Sequence, residues 1–374
     1  MTLDRGSRGA GSVSPNAWGY RSDAKTVKEG GRFMEGHASS CYGSCFGVHF
    51  SRRSFLGGVA AGLAALAAPQ LASAGEVGGY PPPPPLKSPI EGAIDFHVHS
   101  APDVFGRAVT DIEVAQAAAA AKMRAIVLKN HVTMTSDRAV LASKAVPGLQ
   151  IFGGVVLNRA VGGINPDAVE WMFRMEGKLG KTVWMPTFDA DHHRKVRNQP
   201  GEGIRAAKNG TLLPETEAVL QVIARENLVL HTGHLSPGEV LAVIKRGREL
   251  GVNHMAVTHA MAEAPGLSIA HMKEAAAAGA YLELIYLSAL IGPQAHMAWM
   301  RESKGISIKE MAEAVKAVGA EHFILSTDLG QTGNPIHPDG YKLLVAGLKG
   351  EGIAQEEIDI MMKRNPAKLL GLEA

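Results

Sequence analysis

Six of the chain's 15 histidines fall where short apolar runs end: His97, His99, His131, His231, His234 and His259. Imidazole is the commonest metal ligand, and it also serves as acid, base or hydrogen-bond donor near neutral pH. The tightest group is Ile94-Asp95-Phe96-His97-Val98-His99. On an extended strand alternate side chains share a face, so His97 and His99 should stand about 7 Å apart on one side. That face can offer two rings to one ion. Two histidines packed at a strand end by chance is the plainer account, and the pair alone does not decide between the two.

The remaining runs carry the decision. The second ends in Lys129-Asn130-His131, the third leads into Asn158, and the fourth into Asp189 and Asp191. The fifth gives His231-Thr232-Gly233-His234, the sixth Thr258-His259, the seventh contains Glu283, and the eighth ends in Ser326-Thr327-Asp328. Random placement would scatter such groups over helices and loops as well. One histidine at a strand end is normally structural; the set is hard to explain that way.

What must position them is an alternation of β-branched runs with Ala-rich amphipathic stretches from Ala93 onward, the pattern of repeated βα units. The runs predict strands at Ile94–His99, Ala125–Lys129, Ile151–Leu157, Thr182–Pro186, Leu228–His231, Asn253–Thr258, Tyr281–Tyr286 and Phe323–Thr327. Helices are expected over Asp111–Ala121, Ser136–Lys144, Pro166–Met175, Pro214–Arg225, Pro237–Leu250, Ile269–Ala278, Ile308–Val318 and Tyr341–Leu348. Eight strands with eight helices make one α/β domain, a (β/α)8 TIM barrel, whose active site belongs at the C-terminal strand edge. A doubly wound open sheet would call for a Gly-rich phosphate turn after the first strand, where this chain has His-Ser-Ala-Pro-Asp.

Two connections are long: 189–213, with His192, His193, Arg194, Lys195 and Arg197, and 287–305, with Pro293, His296 and Trp299. Both leave the catalytic edge, so they are candidates for a lid, with Gly201, Gly203 and Gly210 as hinges, or else solvated loops. Asn365-Pro366 reads as an N-cap followed by the first residue of a short final helix. His254 reads as structural, while His271, His322 and His337 read as surface positions.

The composition, 46% hydrophobic and 20% charged over 374 residues, is that of an ordinary soluble domain. Residues 1–50 are Gly/Ser-rich without hydrophobic period and read as disordered or as an overextended start, with Met34 an alternative initiator. Residues 51–74 resemble a twin-arginine export signal: Arg52-Arg53, a modest apolar stretch, then Ala72-Ser73-Ala74. The 14 residues from Phe55 to Ala68 are short of the ~20 that span a bilayer. Export would place the mature chain in the periplasm or outside the cell. Residues 75–90 form a Pro-rich linker, and 91–374 the barrel. Cys41 and Cys45 precede the expected cut, so a metal site in the mature chain must use nitrogen and oxygen ligands. Cleavage leaves 30 Lys+Arg against 32 Asp+Glu, with no basic surplus to suggest nucleic acid. The expected partner is a small-molecule substrate; neither a stable membrane anchor nor nucleic acid is expected, and a homo-oligomer is left open.

With these residues in order, the stretch from Ala93 to Leu372 resembles the amidohydrolase-type metal-dependent hydrolases. Their signature is His-x-His on strand one, a His each on strands five and six, and an Asp on strand eight. The resemblance assigns these roles to His97 and His99, to His231 or His234, to His259, and to Asp328. The ending Asn-Pro-Ala-Lys-Leu-Leu-Gly-Leu is similar to that family's final helix. The runs Gly154–Asn158, Gly162–Pro166 and Thr232–Ser236 resemble a subfamily for which the likeness supplies no substrate. Many relatives use a carboxylated Lys or a Glu on strand four, which here ends in Met185-Pro186-Thr187. Lys129, on strand two, could be carbamylated, grip a substrate carboxylate, or snorkel from the barrel mouth.

The cofactor so implied is a divalent metal, with Zn expected, as one ion or two. Its chemistry is to lower the pKa of a bound water to ~7. Asp328 would take the water's proton and pass it on, and His259 with the spare strand-five histidine would stabilise the oxyanion. His234 is favoured as ligand because Thr232-Gly233 turns the chain inward. Lys129, His131, Asn158, Asp189, Glu283 and Arg107 are candidate substrate contacts; Glu283 could instead accept from a ligand histidine, and Arg107 could simply pair with Asp103. The expected reaction is hydrolysis of an amide, cyclic imide, lactone or ester. Phosphoester hydrolysis and non-oxidative decarboxylation are alternatives on the same barrel. A periplasmic metal- or solute-binding protein is the alternative outside enzymes and would favour two lobes.

Overall fold

The computed structural model describes residues 87–372. The disordered start, the export signal and residues 75–86 of the linker lie outside the described residues.

Eight strands form one parallel sheet: β1 (Ile94–His99), β2 (Ala125–Lys129), β3 (Gln150–Val156), β4 (Gly180–Trp184), β5 (Val229–His231), β6 (His254–Val257), β7 (Tyr281–Ile285) and β8 (Phe323–Ser326). Each pairs with the next in sequence order. The ring closes where the chain leaves β8, with the Asp328 N–H donating to the His97 carbonyl (2.9 Å) and the His99 N–H to that of Leu329 (3.1 Å). This is the expected (β/α)8 barrel. Predicted strand ends agree with those observed for β1 and β2 and differ by at most two residues elsewhere.

The principal helices are α1 (Asp111–Ala120), α2 (Ser136–Ala145), α3 (Pro166–Arg174), α4 (Pro214–Arg225), α5 (Pro237–Glu249), α6 (Ile269–Ala277), α7 (Ile308–Val318) and α8 (His337–Gly350). Their starts are written locally. Thr110/Glu113, Ser236/Glu239 and Ser307/Glu310 each form a reciprocal capping box at the heads of α1, α5 and α7. Val114, Val169, Val219, Val243, Met272 and Val315 face inward from six of these helices and bury one large apolar layer against the strands.

A second, smaller cluster lies inside the ring, with Ile94, Phe96, Val127, Phe152, Trp184, Val229, Ala256 and Ile324. The C-terminal segment closes the ring's lower end with Ala367, Leu369 and Leu370. Strict alternation would put His97 and His99 on the face opposite Ile94 and Phe96, outside the ring. The register between β1 and β2 slips between Asp95 and Val98, so that β1 carries one extra residue there. This bulge re-aims the chain: Val98 packs with the outer layer, and His97 and His99 turn inward above Phe96. Asp95, at the bulge, accepts from the N–H groups of His97 and Thr327 (3.0 Å each) and from the Thr327 hydroxyl (2.6 Å), tying β1 to β8.

Three expectations are corrected. Asn365 is not an N-cap: it lies within a continuous helical run from Gln355 to Leu369. Its amide donates to the carbonyls of Ala320, Glu321 and Phe323. His337 is buried rather than on the surface, donating from Nε2 to the Leu329 carbonyl (2.8 Å). Gly203 is no hinge, because a Cβ there would lie 2.3 Å from the Asp191 Cα.

Both long connections are built rather than loose. The first holds a short helix, Asp191–Val196, and a hairpin, Ala207–Lys208 with Thr211–Leu212. Arg197 ties it across the barrel mouth to Ser303 (2.5 Å) and Glu263 (3.2 Å).

Candidate metal centre

The bulge brings His97 Nε2 within 3.0 Å of Asp328 Oδ1 and His99 Nε2 within 3.2 Å of the same oxygen. Ligands about 2.1 Å from a tetrahedral ion lie roughly 3.4 Å from one another, so these three atoms are spaced as corners of one site. Among the described residues, His97, His99 and Asp328 are the one group of at least three candidate ligands with atoms all within 4.8 Å.

The donors fit an ion. Glu283, inside the barrel on β7, sets its Oε2 3.2 Å from His97 Nδ1 and accepts from the His259 N–H (2.9 Å). A carboxylate can only accept, so Nδ1 carries a proton. Nε2 faces both the Asp328 oxygen (3.0 Å) and Lys129 Nζ (2.9 Å), and a cation held between Nε2 and Oδ1 would take the place of a proton there. A ligand histidine backed by a carboxylate is the usual second layer of a metal site. Of the two roles weighed for Glu283, the structure selects acceptor for His97 over facing the helix layer.

Burial pushes the Glu283 and Asp328 carboxyls up, but the neighbouring imidazoles, His97 above all, hold both below the ordinary range. His97 is depressed by burial and raised more by Asp328 and Glu283. His99 is held well below its usual value by burial and by Arg107, whose Nη2 donates to its Nδ1 (3.3 Å). The proton then rests on His99 Nε2, and an ion binding there must displace it.

Lys129 does not snorkel. Its side chain is buried over Trp184, with Nζ 2.9 Å from His97 Nε2, and burial lowers the ammonium to about 8 against the pull of Asp328 and Glu283. Two site residues hold left-handed backbone that non-glycine residues avoid, His259 at φ 28° and Asp328 at φ 53°. Such conformations cost on the order of 1–3 kcal/mol and gather where side-chain placement matters.

A second histidine group adjoins the first. Gly233, at φ 60°, turns the chain after β5 and delivers His234 with Nε2 3.1 Å from His259 Nε2. A Cβ at Gly233 would meet the Met185 carbonyl at 2.2 Å. His231 lies lower in the ring, its imidazole 5.6 Å from both Phe96 and Trp184, and burial drives it down to about 3. Among the described residues, His231 Nε2 and His259 Nδ1 are buried without a hydrogen-bond partner. Sequence reasoning left His193 in a connection weighed as a lid or a solvated loop; the short helix there places its Nδ1 2.8 Å from that of His234.

The remaining candidates divide. His131 stacks on His99 with centroids 4.7 Å apart and belongs to the site. Arg107 pairs with Asp103 (2.7 Å) as well as meeting His99. Asn158 is spent internally on Thr187 and the His131 carbonyl. Asp189 accepts from the Arg159 N–H and anchors the long connection. Phe188, absent from the sequence-based set, stacks on His131 at 4.0 Å, with Phe105 edge-on to it at 5.8 Å.

Residues 92–283 match the model of a family of unknown function, DUF6282. The chain belongs to that family. The matched segment spans β1 through Glu283 and so holds both histidines of β1, while Asp328 lies beyond it. No curated protein matches the chain in sequence. Solved structures share its fold. An organophosphorus hydrolase from Deinococcus radiodurans superposes with a TM-score of 0.51 at 16% identity, over 75% of this chain and 92% of that one. A structure described as organophosphate hydrolysis engineered from a weak promiscuous lactonase gives 0.51 at 16% identity, over 77% and 98%. At this identity the likeness is one of fold.

Proposed function

We propose that this DUF6282 member is a metal-dependent hydrolase acting on a carbonyl-centred C–O or C–N bond of a small molecule: an ester, lactone, cyclic imide or amide. The observation that carries the reading is the meeting of His97 Nε2, His99 Nε2 and Asp328 Oδ1 within reach of one ion, with Glu283 behind His97. His97, His99 and Asp328 would hold a divalent ion, for which nitrogen and oxygen donors suit Zn. When bound, such an ion supplies a Lewis acid and a water acidified to near neutrality.

The chain's own groups do the rest. Asp328, kept unprotonated by its histidines, accepts a proton and returns it to the leaving group. His234 and His259 are both neutral because burial depresses them; His193 and His259 engage the two nitrogens of His234, so it is His259 Nδ1 that can donate to an oxygen that gains negative charge. Phe105 and Phe188 wall one side, and an apolar or flat substrate group would pack there. The site histidines and Asp328 are buried under the connection that Arg197 ties down, which limits bulk water.

A second reading, phosphoester hydrolysis, draws on the cations beside the triad, Lys129 and Arg107. Residues 51–74 are proposed to export the chain. The test is a screen of the zinc-loaded protein against aryl esters, lactones, amides and phosphate esters, with Asp328→Asn alongside. Hydrolysis at carbonyl, lowered roughly 10²–10⁴-fold in the variant, is expected. Turnover of phosphate esters alone would favour the second reading, and full activity in Asp328→Asn would sink the first.

A further inference from the structure

The protonation pattern of His131 can be read outward from the backbone. The Thr187 N–H donates to Asn158 Oδ1 (2.8 Å), and the His131 carbonyl accepts from Asn158 Nδ2 (3.0 Å). Backbone N–H groups only donate and carbonyls only accept, so the Asn158 amide has one orientation. Asn158 Nδ2 then also donates to Thr187 Oγ1 (2.7 Å). The Thr187 side chain is fully buried, and among the described residues its hydroxyl proton has one acceptor in reach, His131 Nδ1 at 2.9 Å. Leaving that proton unpaired would cost the desolvation of a buried hydroxyl. The hydroxyl therefore donates, Nδ1 accepts, and the ring's own proton sits on Nε2.

The ring is fixed as firmly as its proton. His99 stacks on it at 4.7 Å and 21°, and Phe188 at 4.0 Å and 27°. It is 6% exposed, and among the described residues Nε2 has no protein partner. A donor held in a known orientation beside a metal ligand, between an aromatic wall and the second histidine group, is suited to an oxygen atom that enters from outside.

We propose that His131 is a substrate contact that donates from Nε2 to an oxygen of the bound substrate, and that Asn158 and Thr187 are positioning residues that set its tautomer. The role in turnover rests on the hydrolase reading; the tautomer does not. The substrate this selects carries an acceptor oxygen next to a flat group that lies against Phe105 and Phe188.

The experiment uses the full, zinc-loaded chain with ¹⁵N-labelled histidine. Nitrogen–proton correlation spectra, with His131 assigned by loss of its signal in His131→Phe, should show the Nε2–H tautomer. Thr187→Val should abolish that preference and Thr187→Ser should keep it. Phenylphosphonate serves as the probe, with oxygens for the donor and a ring for the wall. Its binding should shift the His131 Nε2 proton and weaken on the order of tenfold in His131→Phe, which keeps the flat ring. His131→Gln, which keeps an N–H, should recover part of that loss. An Nδ1–H tautomer in the unmodified chain, the Nε2–H form surviving Thr187→Val, or equal phosphonate affinity in His131→Phe would each overturn the proposal. Should no ester, lactone or amide be turned over, the hydrolase reading fails while the tautomer and phosphonate results still decide this one.

Discussion

Replacing Glu283 by Gln isolates what a buried charge contributes to the metal centre. Glu283 is fully buried, and one oxygen takes both hydrogen bonds, from His97 Nδ1 (3.2 Å) and the His259 N–H (2.9 Å). The other oxygen is buried without a partner among the described residues. A glutamine can keep its carbonyl at the doubly bonded position and put its amide where the unpartnered oxygen lies. Shape and both hydrogen bonds survive, the charge assistance to His97 is lost, and the amide N–H groups are buried where no partner stands among the described residues. Groups that support metal ligands typically contribute 10–100-fold to affinity, and an isosteric change that spares the hydrogen bonds belongs at the lower end. A tenfold weakening, about 1.4 kcal/mol, is expected for Glu283→Gln. Glu283→Ala removes the acceptor as well and should approach a hundredfold, with a loss of stability because a buried N–H is orphaned. The assay is competition for zinc against a chromophoric chelator, with unfolding curves recorded in parallel. Unchanged zinc affinity in the alanine variant, with the fold intact, would refute the assignment of Glu283 as the group that orients His97.

Two further outcomes follow from the same geometry. Gly233→Ala puts a Cβ against the Met185 carbonyl in left-handed backbone, so it should destabilise by about 2 kcal/mol or more and displace His234; denaturant unfolding measures the first and lost turnover the second. Burial lowers His337 to about 4, while the Leu329 carbonyl raises it less. A folded value below the unfolded ~6.5 means stability is held above pH 6.5 and lost as pH falls toward 4, because the unfolded chain takes up the proton first. Between pH 7.5 and 5.5 this one group should account for about 1.4 kcal/mol of lost stability. Urea midpoints at the two pH values should therefore converge in His337→Gln, and an unchanged pH dependence would contradict the assignment.

The barrel was legible because each strand is an apolar run and each helix start carries its own cap, both local signals. His97, His99 and Asp328 were named from strand-end position and family resemblance within a wider ligand set; His231, His234 and His259, expected in the same set, stand outside the group of three that the structure brings together. The geometry of the three was not legible: strict alternation on β1 and the placement of His97 inside the ring conflict, and only the bulge between Asp95 and Val98 resolves them. Lys129 and Glu283 remained ambiguous because a single strand does not say which face turns inward. His193, Thr187 and Phe188 reach the site from a connection whose path depends on distant anchors such as Arg159 and Arg197. Asn365 looked like a cap because Asn-Pro is a common helix start, yet the preceding turn continues into it and its amide serves three carbonyls instead.

The most direct test of the account is the metal content of the purified, zinc-equilibrated chain, measured by mass spectrometry of the elements after dialysis. At least one divalent ion per chain is expected, lost when His97 and Asp328 are replaced together by Ala and Asn in a protein that still folds. A chain that retains no ion, or a double variant that binds as much as the original, would contradict the convergence of His97, His99 and Asp328 on a common metal.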